Sequence, residues 1–276
     1  MANITAADVN KLRQRTGAGM MDCKKALVEA DGDFDKAIQI IREKGMAVAN
    51  KRSDREATEG VVLAKTNNEK SKGVIISLNC ETDFVAKNVD FVQLAENILD
   101  AALTNMPSNV DELKNIKLGN VTIGEKIVEQ TGVIGEKLDL SYFAKVEASM
   151  VTPYIHSDKK LATLVGLNKA GVDEQVGKDV AMQVAAMDPV SVNQEQVPQE
   201  VIEKELEIGR NQALAEGKPA ELVDKIAQGK LSKFFKDSTL LNQAFIKENK
   251  ITVQQYLQQT DKDLTVTEFK RFSIKQ

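Results

Sequence analysis

The sequence predicts an α+β protein on three observations. Three short amphipathic helices crowd residues 1–46, a strand–strand–helix unit occurs twice in the middle of the chain, and a pair of longer helices is inserted before a last extended segment.

In the N-terminal segment, Thr5 followed by Asp8 resembles a capping box, and Val9 and Leu12 give the first helix its apolar stripe up to Gly17. A second helix turns Ala26, Leu27 and Ala30 inward until Gly32. A third, capped by Asp33 or Asp35, carries Ala37, Ile38 and Ile41 to Gly45. Helices this short give a core marginal by size, so the bundle is expected to lean on another part of the chain. Met20 and Met21, at the start of the second helix, are flexible thioethers that suit either packing filler or an adaptable contact. Residues 47–59 hold Lys51, Arg52, Asp54, Arg55 and Glu56 with little apolar periodicity and read as a linker, helical in part.

A core follows. Val61 to Lys65 pairs, through the turn-rich Asn67 to Gly73 segment, with the β-branched run Gly73 to Cys80, and an amphipathic helix starts near Asp90 as N-cap and carries Phe91, Leu94, Ile98 and Leu99 inward. The same order returns in Tyr142 to Glu147, Lys160 to Lys169 and Val172 to Met187, with Leu78-Asn79 and Leu167-Asn168 at matching places. Shared order with weak identity is what duplicated modules look like. We therefore expect two similar α+β subdomains, residues 60–140 and residues 141–188 with 238–276. Thr122 to Val128 reads as a capped helix and Lys114 to Asn120 as loop. Residues 189–237 form an antiparallel helical hairpin, its arms opened by Pro198 and Pro219 and joined at Glu216-Gly217-Lys218. Val201, Ile202, Leu206 and Ile208 are expected to face Leu222, Val223, Ile226 and Leu231, and Gly229 to weaken the second arm. Thr252 to Leu257 gives one more short helix, and Thr265 to Ile274 returns to a sheet.

Composition narrows the function. A net charge of −4 and 4% aromatic residues without Trp favour neither a nucleic-acid partner nor an anionic membrane. The two cysteines, Cys23 and Cys80, have no metal-ligand spacing and no disulfide framework, and Met1-Ala2-Asn3-Ile4-Thr5 carries no targeting signal, so a reducing cytoplasm fits. A single histidine, His156, excludes multi-histidine metal sites, and no phosphate loop or dinucleotide fingerprint is present. No cofactor, metal or direct nucleotide binding is expected, and by elimination the chain is an interaction protein rather than an enzyme.

One stretch breaks the pattern. Between the strand ending at Cys80 and the helix after Asn88, Asp83 and Phe84 fall in a connection, and connections run over the surface. Two readings stand side by side: an aromatic ring beside a carboxylate offered outward as a wedge, or Phe84 folded onto the core with Asp83 capping a helical turn.

Arg15-Thr16-Gly17-Ala18-Gly19-Met20-Met21-Asp22-Cys23-Lys24-Lys25-Ala26-Leu27, then Asn79-Cys80-Glu81-Thr82-Asp83-Phe84-Val85-Ala86-Lys87-Asn88, then Tyr154-Ile155-His156, in that order and spacing, resemble the bacterial translation elongation factor Ts family. The resemblance implies a guanine-nucleotide exchange factor for elongation factor Tu. It also implies an N-terminal three-helix domain of the ubiquitin-associated type, a core of two similar α+β subdomains and a protruding antiparallel helical hairpin. Carried over by motif, Met20, Met21 and Lys24 would touch the G domain of the partner. Asp83 and Phe84, flanked by Thr82 and Val85, would push between two of its helices near the magnesium site, with Ile123 and Gly124 in support. His156 would meet the partner's third domain, and Ile246 and Lys247 form a further contact segment. The sequence departs from the family pattern at Ser157-Asp158, where small residues usually follow the histidine. It also ends at Phe272-Ser273-Ile274-Lys275-Gln276, where many relatives continue into a helical module. The rival reading is a scaffold or chaperone-like adaptor that binds helical partners without altering nucleotide turnover.

Overall fold

The computed structural model describes residues 4–274, so Met1, Ala2 and Asn3 of the segment read above for a targeting signal, and the closing Lys275 and Gln276, lie outside the described residues. Packing divides the chain into two units, one built from the residues up to Leu63 and Ile76–Ala144, the other from Ala64–Ile75 and Lys145–Ser273.

The first unit begins with α1 (Ala6–Thr16), α2 (Met20–Glu29) and α3 (Phe34–Lys51). Thr5 and Asp8 exchange the two bonds of a capping box, and Gly17 closes α1 at φ 72, a left-handed conformation that glycine adopts without a Cβ clash. Asp33, not Asp35, caps α3, accepting from the amides of Asp35 and Lys36. Leu12, Cys23, Ala26, Leu27 and Ala37 make the small core, and Val133 from farther along the chain packs against it, which is the outside support that a bundle of this size needs. One expectation fails here: α3 runs through Gly45 to Lys51. Gly45 is no terminator. It is the point where another helix crosses, because a Cβ added to Gly132 would lie 2.2 Å from the Gly45 Cα.

That crossing helix is α7 (Ile123–Ile134). It follows β1 (Glu59–Thr66), β2 (Lys72–Cys80), a four-residue α4 (Asp83–Ala86), α5 (Val89–Asn105), α6 (Val110–Asn115), β3 (Lys117–Leu118) and β4 (Val121–Thr122), and precedes β5 (Asp139–Glu147). The sheet order is β1-β2-β5. Asn88 rather than Asp90 caps α5, its side-chain oxygen accepting from the Asp90 amide at 2.8 Å. The expected loop Lys114 to Asn120 instead holds the end of α6 and a tight β3–β4 hairpin turned at Gly119, φ 72. A six-residue helix whose one buried residue is Leu113 has no period to read.

The second unit has a sheet of order β10-β7-β6, built from β6 (Met150–Ile155), β7 (Leu161–Leu167) and β10 (Val266–Ser273), all antiparallel. The helix α8 (Glu174–Met187) lays Val176, Val180 and Val184 on Met150, Val165 and Leu167. The expected pairing of Tyr142 to Glu147 with the 160–169 run is corrected: those residues belong to β5 in the other sheet, and β6 is the strand that joins β7. Pro153 hides β6 from a sequence reading, because proline is tolerated only where its missing N–H is not needed, as on this edge strand. Beyond α8 come α9 (Gln199–Ala215), α10 (Ala220–Ser238), the short pair β8 (Ala244–Phe245) and β9 (Glu248–Thr252), and α11 (Val253–Thr260). The seam of the α9–α10 hairpin differs from expectation. Gly209 and Ala213 of α9 and Val223, Ala227 and Leu231 of α10 are the buried residues, while Ile208 and Leu222 are exposed. A Cβ on Gly209 would lie 3.0 Å from the Ala227 Cα, so small residues set a close approach that turns the larger ones out.

Candidate protein-interaction site

In the first unit, α2 buries Cys23, Ala26 and Leu27, so helical geometry turns Met21, Lys24 and Val28 to the opposite face. Met20, Met21 and Val28 are exposed large apolar residues, and Lys24 is exposed among them. With Met21 63% accessible, packing filler is ruled out for that side chain. The face is an apolar stripe with a cation set into it.

The stretch around Phe84 is built outward from a fixed base. Cys80 ends β2 fully buried, its thiol donating to the Thr82 carbonyl at 3.1 Å. Burial foremost, then the charge of Glu136, pushes the thiol up to about 12. Glu81 accepts from Arg52 and from the Lys137 amide, each at 2.7 Å. The Lys137 amide first, with Arg52 assisting, holds the Glu81 carboxyl below its usual range. Thr82 donates to Glu136 twice, from its amide at 3.0 Å and its hydroxyl at 2.7 Å, and caps α4 by accepting from the Val85 amide. At the other end Lys87 reaches back to Asp83 at 2.6 Å. Ala86 is the buried residue of α4 and Val85 is half-buried, whereas Phe84 is 84% exposed and Val89, one turn on, is 79% exposed. Of the two readings open in the sequence, the ring is outside the core, and Asp83 does sit in a helical turn.

Ile123 and Gly124 begin α7, which is set by a capping box between Thr122 and Glu125. Ile123 is fully buried, so whatever it does at a surface it does through its neighbours; Gly124 lets the Lys114 carbonyl oxygen come within 3.3 Å of where a Cβ would stand. The far end of α7 closes at Gly135, φ 80, and delivers Glu136 to Thr82.

In the second unit His156 sits at the tip of the β6–β7 hairpin, half exposed, with its Nδ1 3.1 Å from Asp158. The Ser157-Asp158 departure therefore supplies the imidazole with a carboxylate partner. Ile246 and Lys247 make the turn between β8 and β9. The Ile246 amide donates to Gln183 at 2.8 Å, and its side chain is exposed. Lys247 reaches Asp179 at 2.6 Å, and Gln175 and the Tyr256 hydroxyl donate to the same carboxylate. Burial acts to raise the Asp179 pKa, but these three donors outweigh it and hold the carboxyl below its ordinary value. Tyr256 stacks on Phe245 with ring centroids 4.1 Å apart.

The motif residues thus fall in three places in the first unit and on two hairpin turns in the second. Glu136, which holds Thr82, Lys137 and Arg52, which hold Glu81, and Asp179, Gln183 and Tyr256 around the 246–247 turn carry no mark of these roles in the sequence. Each is an ordinary polar residue whose partner is distant in the chain. Among the described residues no helix is long and apolar enough to cross a membrane.

A family profile described as Elongation factor TS matches residues 81–276. The sequence is 52% identical to the elongation factor Ts of Christiangramia forsetii over 99% of this chain and 100% of that one. It is 51% identical to that of Flavobacterium psychrophilum, again over 99% of this chain and 100% of the relative. With that of Porphyromonas gingivalis it shares 48% identity over 98% of each chain.

Proposed function

The chain belongs to the elongation factor Ts family of translation elongation factors, and from that premise we propose that it is a guanine-nucleotide exchange factor for elongation factor Tu. The observation that carries the reading is Phe84, a large ring 84% exposed on a helix too short to hold itself, at the end of a base that is hydrogen-bonded throughout.

A tightly held nucleotide leaves quickly only when another ligand favours the conformation that holds it badly. The coupling is reciprocal: whatever factor weakens GDP binding weakens binding of this protein to the GDP form, each ~1.4 kcal/mol being tenfold. Phe84 supplies that energy by entering between two helices of the partner beside its magnesium-bound nucleotide, since packed interfaces switch between discrete arrangements rather than deform continuously. Displacing the groups that hold Mg2+ strips the phosphates of their main counter-charge. Asp83, tied to Lys87, travels with the ring. Met20, Met21 and Lys24 hold the partner's G domain, and His156, Ile246 and Lys247 hold it elsewhere. Such a factor uses no acid, base or metal of its own.

The test is a mixing experiment. Elongation factor Tu loaded with a fluorescent GDP analogue is mixed with excess unlabelled GDP, with and without this protein. The expected result is release that accelerates with protein concentration and levels off. A complex that forms while release keeps its unassisted rate would make the chain an adaptor instead.

A further inference from the structure

The base under Phe84 contains a symmetric exchange. Glu81 accepts from the amide of Lys137 at 2.7 Å, and Glu136 accepts from the amide of Thr82 at 3.0 Å. Two adjacent pairs of residues, Glu81-Thr82 and Glu136-Lys137, each give a carboxylate to the other's amide. The Thr82 hydroxyl adds a third bond at 2.7 Å, and Lys137 Nζ donates to the carbonyls of Ser53 and Arg55 at 2.7 and 2.8 Å. We propose that Glu136 is the positioning residue of Phe84, clasping the cap of α4 to the end of α7 so that the ring is presented in one orientation before any partner arrives. This rests on the exchange reading above.

Three features support it. A helix of four residues is far below the length at which helices persist alone, so α4 needs an external hold. Thr82 is its cap, and its side chain has two jobs that fix the same rotamer: accepting from the Val85 amide and donating to Glu136. Finally, Glu136 follows the C-terminus of α7, where the helix dipole disfavours a carboxylate. A negative side chain kept in that position is held by the bonds it receives from Thr82. Pre-organising a contact in its bound form increases affinity by removing the ordering cost from the binding step.

The experiment compares the whole protein with Glu136→Ala, Glu136→Gln, Phe84→Ala and the Glu136→Ala/Phe84→Ala pair. Release of fluorescent GDP from elongation factor Tu is followed in each, and amide hydrogen exchange over residues 82–88 is measured without the partner. Glu136→Ala should speed exchange at those amides and slow stimulated release about tenfold, the rate equivalent of ~1.4 kcal/mol. Glu136→Gln should rescue both, since its amide oxygen accepts from the Thr82 N–H and its NH2 donates to the hydroxyl once that rotates. In the Phe84→Ala background Glu136→Ala should add nothing, because it acts only through the ring. The proposal is overturned if Glu136→Ala leaves release unchanged, or slows it by the same factor with and without Phe84. Should Glu136→Ala not fold, Glu136→Asp, whose shorter side chain cannot keep both bonds to Thr82 while the cap of α4 is left in place, carries the same predictions at smaller size. If the unmodified protein fails to speed release, the exchange reading falls, and the hydrogen-exchange arm still decides whether Glu136 holds α4.

Discussion

Asp179 is a carboxylate with three side-chain donors in a place water hardly reaches, 5% accessible, and its bonds fix the turn that presents Ile246. Removing it in Asp179→Ala strands the Tyr256 hydroxyl and should cost about 1–3 kcal/mol in denaturant unfolding near neutral pH. Its folded pKa lies below the ordinary 3.8, so its contribution is fully present above that value and is lost as the pH falls through the depressed one. The stability gap between the parent and Asp179→Ala should therefore be full at about pH 7 and narrow as the pH falls below the ordinary carboxylate range. Cys80 makes a second residue-scale prediction. With its thiol pushed up to about 12 and buried, it should resist alkylation at about pH 8 in the native protein and react on unfolding. At this scale the sequence tells which residues are unusual but not who holds them. Phe84 stands out as an aromatic in a connection. Glu136 does not, because its partner Thr82 is 54 positions away and nothing local marks the pair.

Among the elements, the crossing of α3 and α7 at Gly45 and Gly132 fixes how the N-terminal helices meet the helix that leads to Glu136. Gly132→Val would press a side chain into the Gly45 backbone and should lower unfolding stability by about 3 kcal/mol, the upper range for overpacking. Gly229, on the open side of α10 with nothing within 4 Å, is the control: Gly229→Ala should raise stability by about 0.5–1 kcal/mol through helix propensity alone. Helices with a clear apolar stripe, such as α5 and both arms of the hairpin, are legible because burial writes a 3.6-residue period into the sequence. Elements below that period are not: α6 and the β3–β4 pair are too short, and β6 is masked by Pro153. The end of α3 and the seam of the α9–α10 hairpin both differ from expectation at glycines that act as spacers for a neighbouring helix. At Gly45 a sequence does not distinguish a glycine that stops a helix from one that lets another approach, and at Gly209 the apolar pattern does not show that the closest contact is made by the residue without a side chain.

For the whole molecule the account is thermodynamic. In the proposed function, contact segments in both packing units would bind elongation factor Tu, and Phe84 would direct the energy of that binding against the nucleotide. Reciprocity gives a check that needs no variant: the factor by which saturating protein raises the dissociation constant of GDP must equal the factor by which GDP raises that of the protein. Met21 and Lys24 stand on α2 and not on α4 with Phe84, so Met21→Ala with Lys24→Ala should weaken the complex while the release rate at saturation is kept. The most direct measurement of the central claim is stopped-flow release of a fluorescent GDP analogue from elongation factor Tu at saturating concentrations of the parent and of Asp83→Ala/Phe84→Ala. Both side chains are at the surface, so the variant should unfold within about 0.5 kcal/mol of the parent. The account predicts release at saturation slowed at least about tenfold, equivalent to ~1.4 kcal/mol of lost coupling. Release at the parent's rate from an equally well-folded double variant would contradict it.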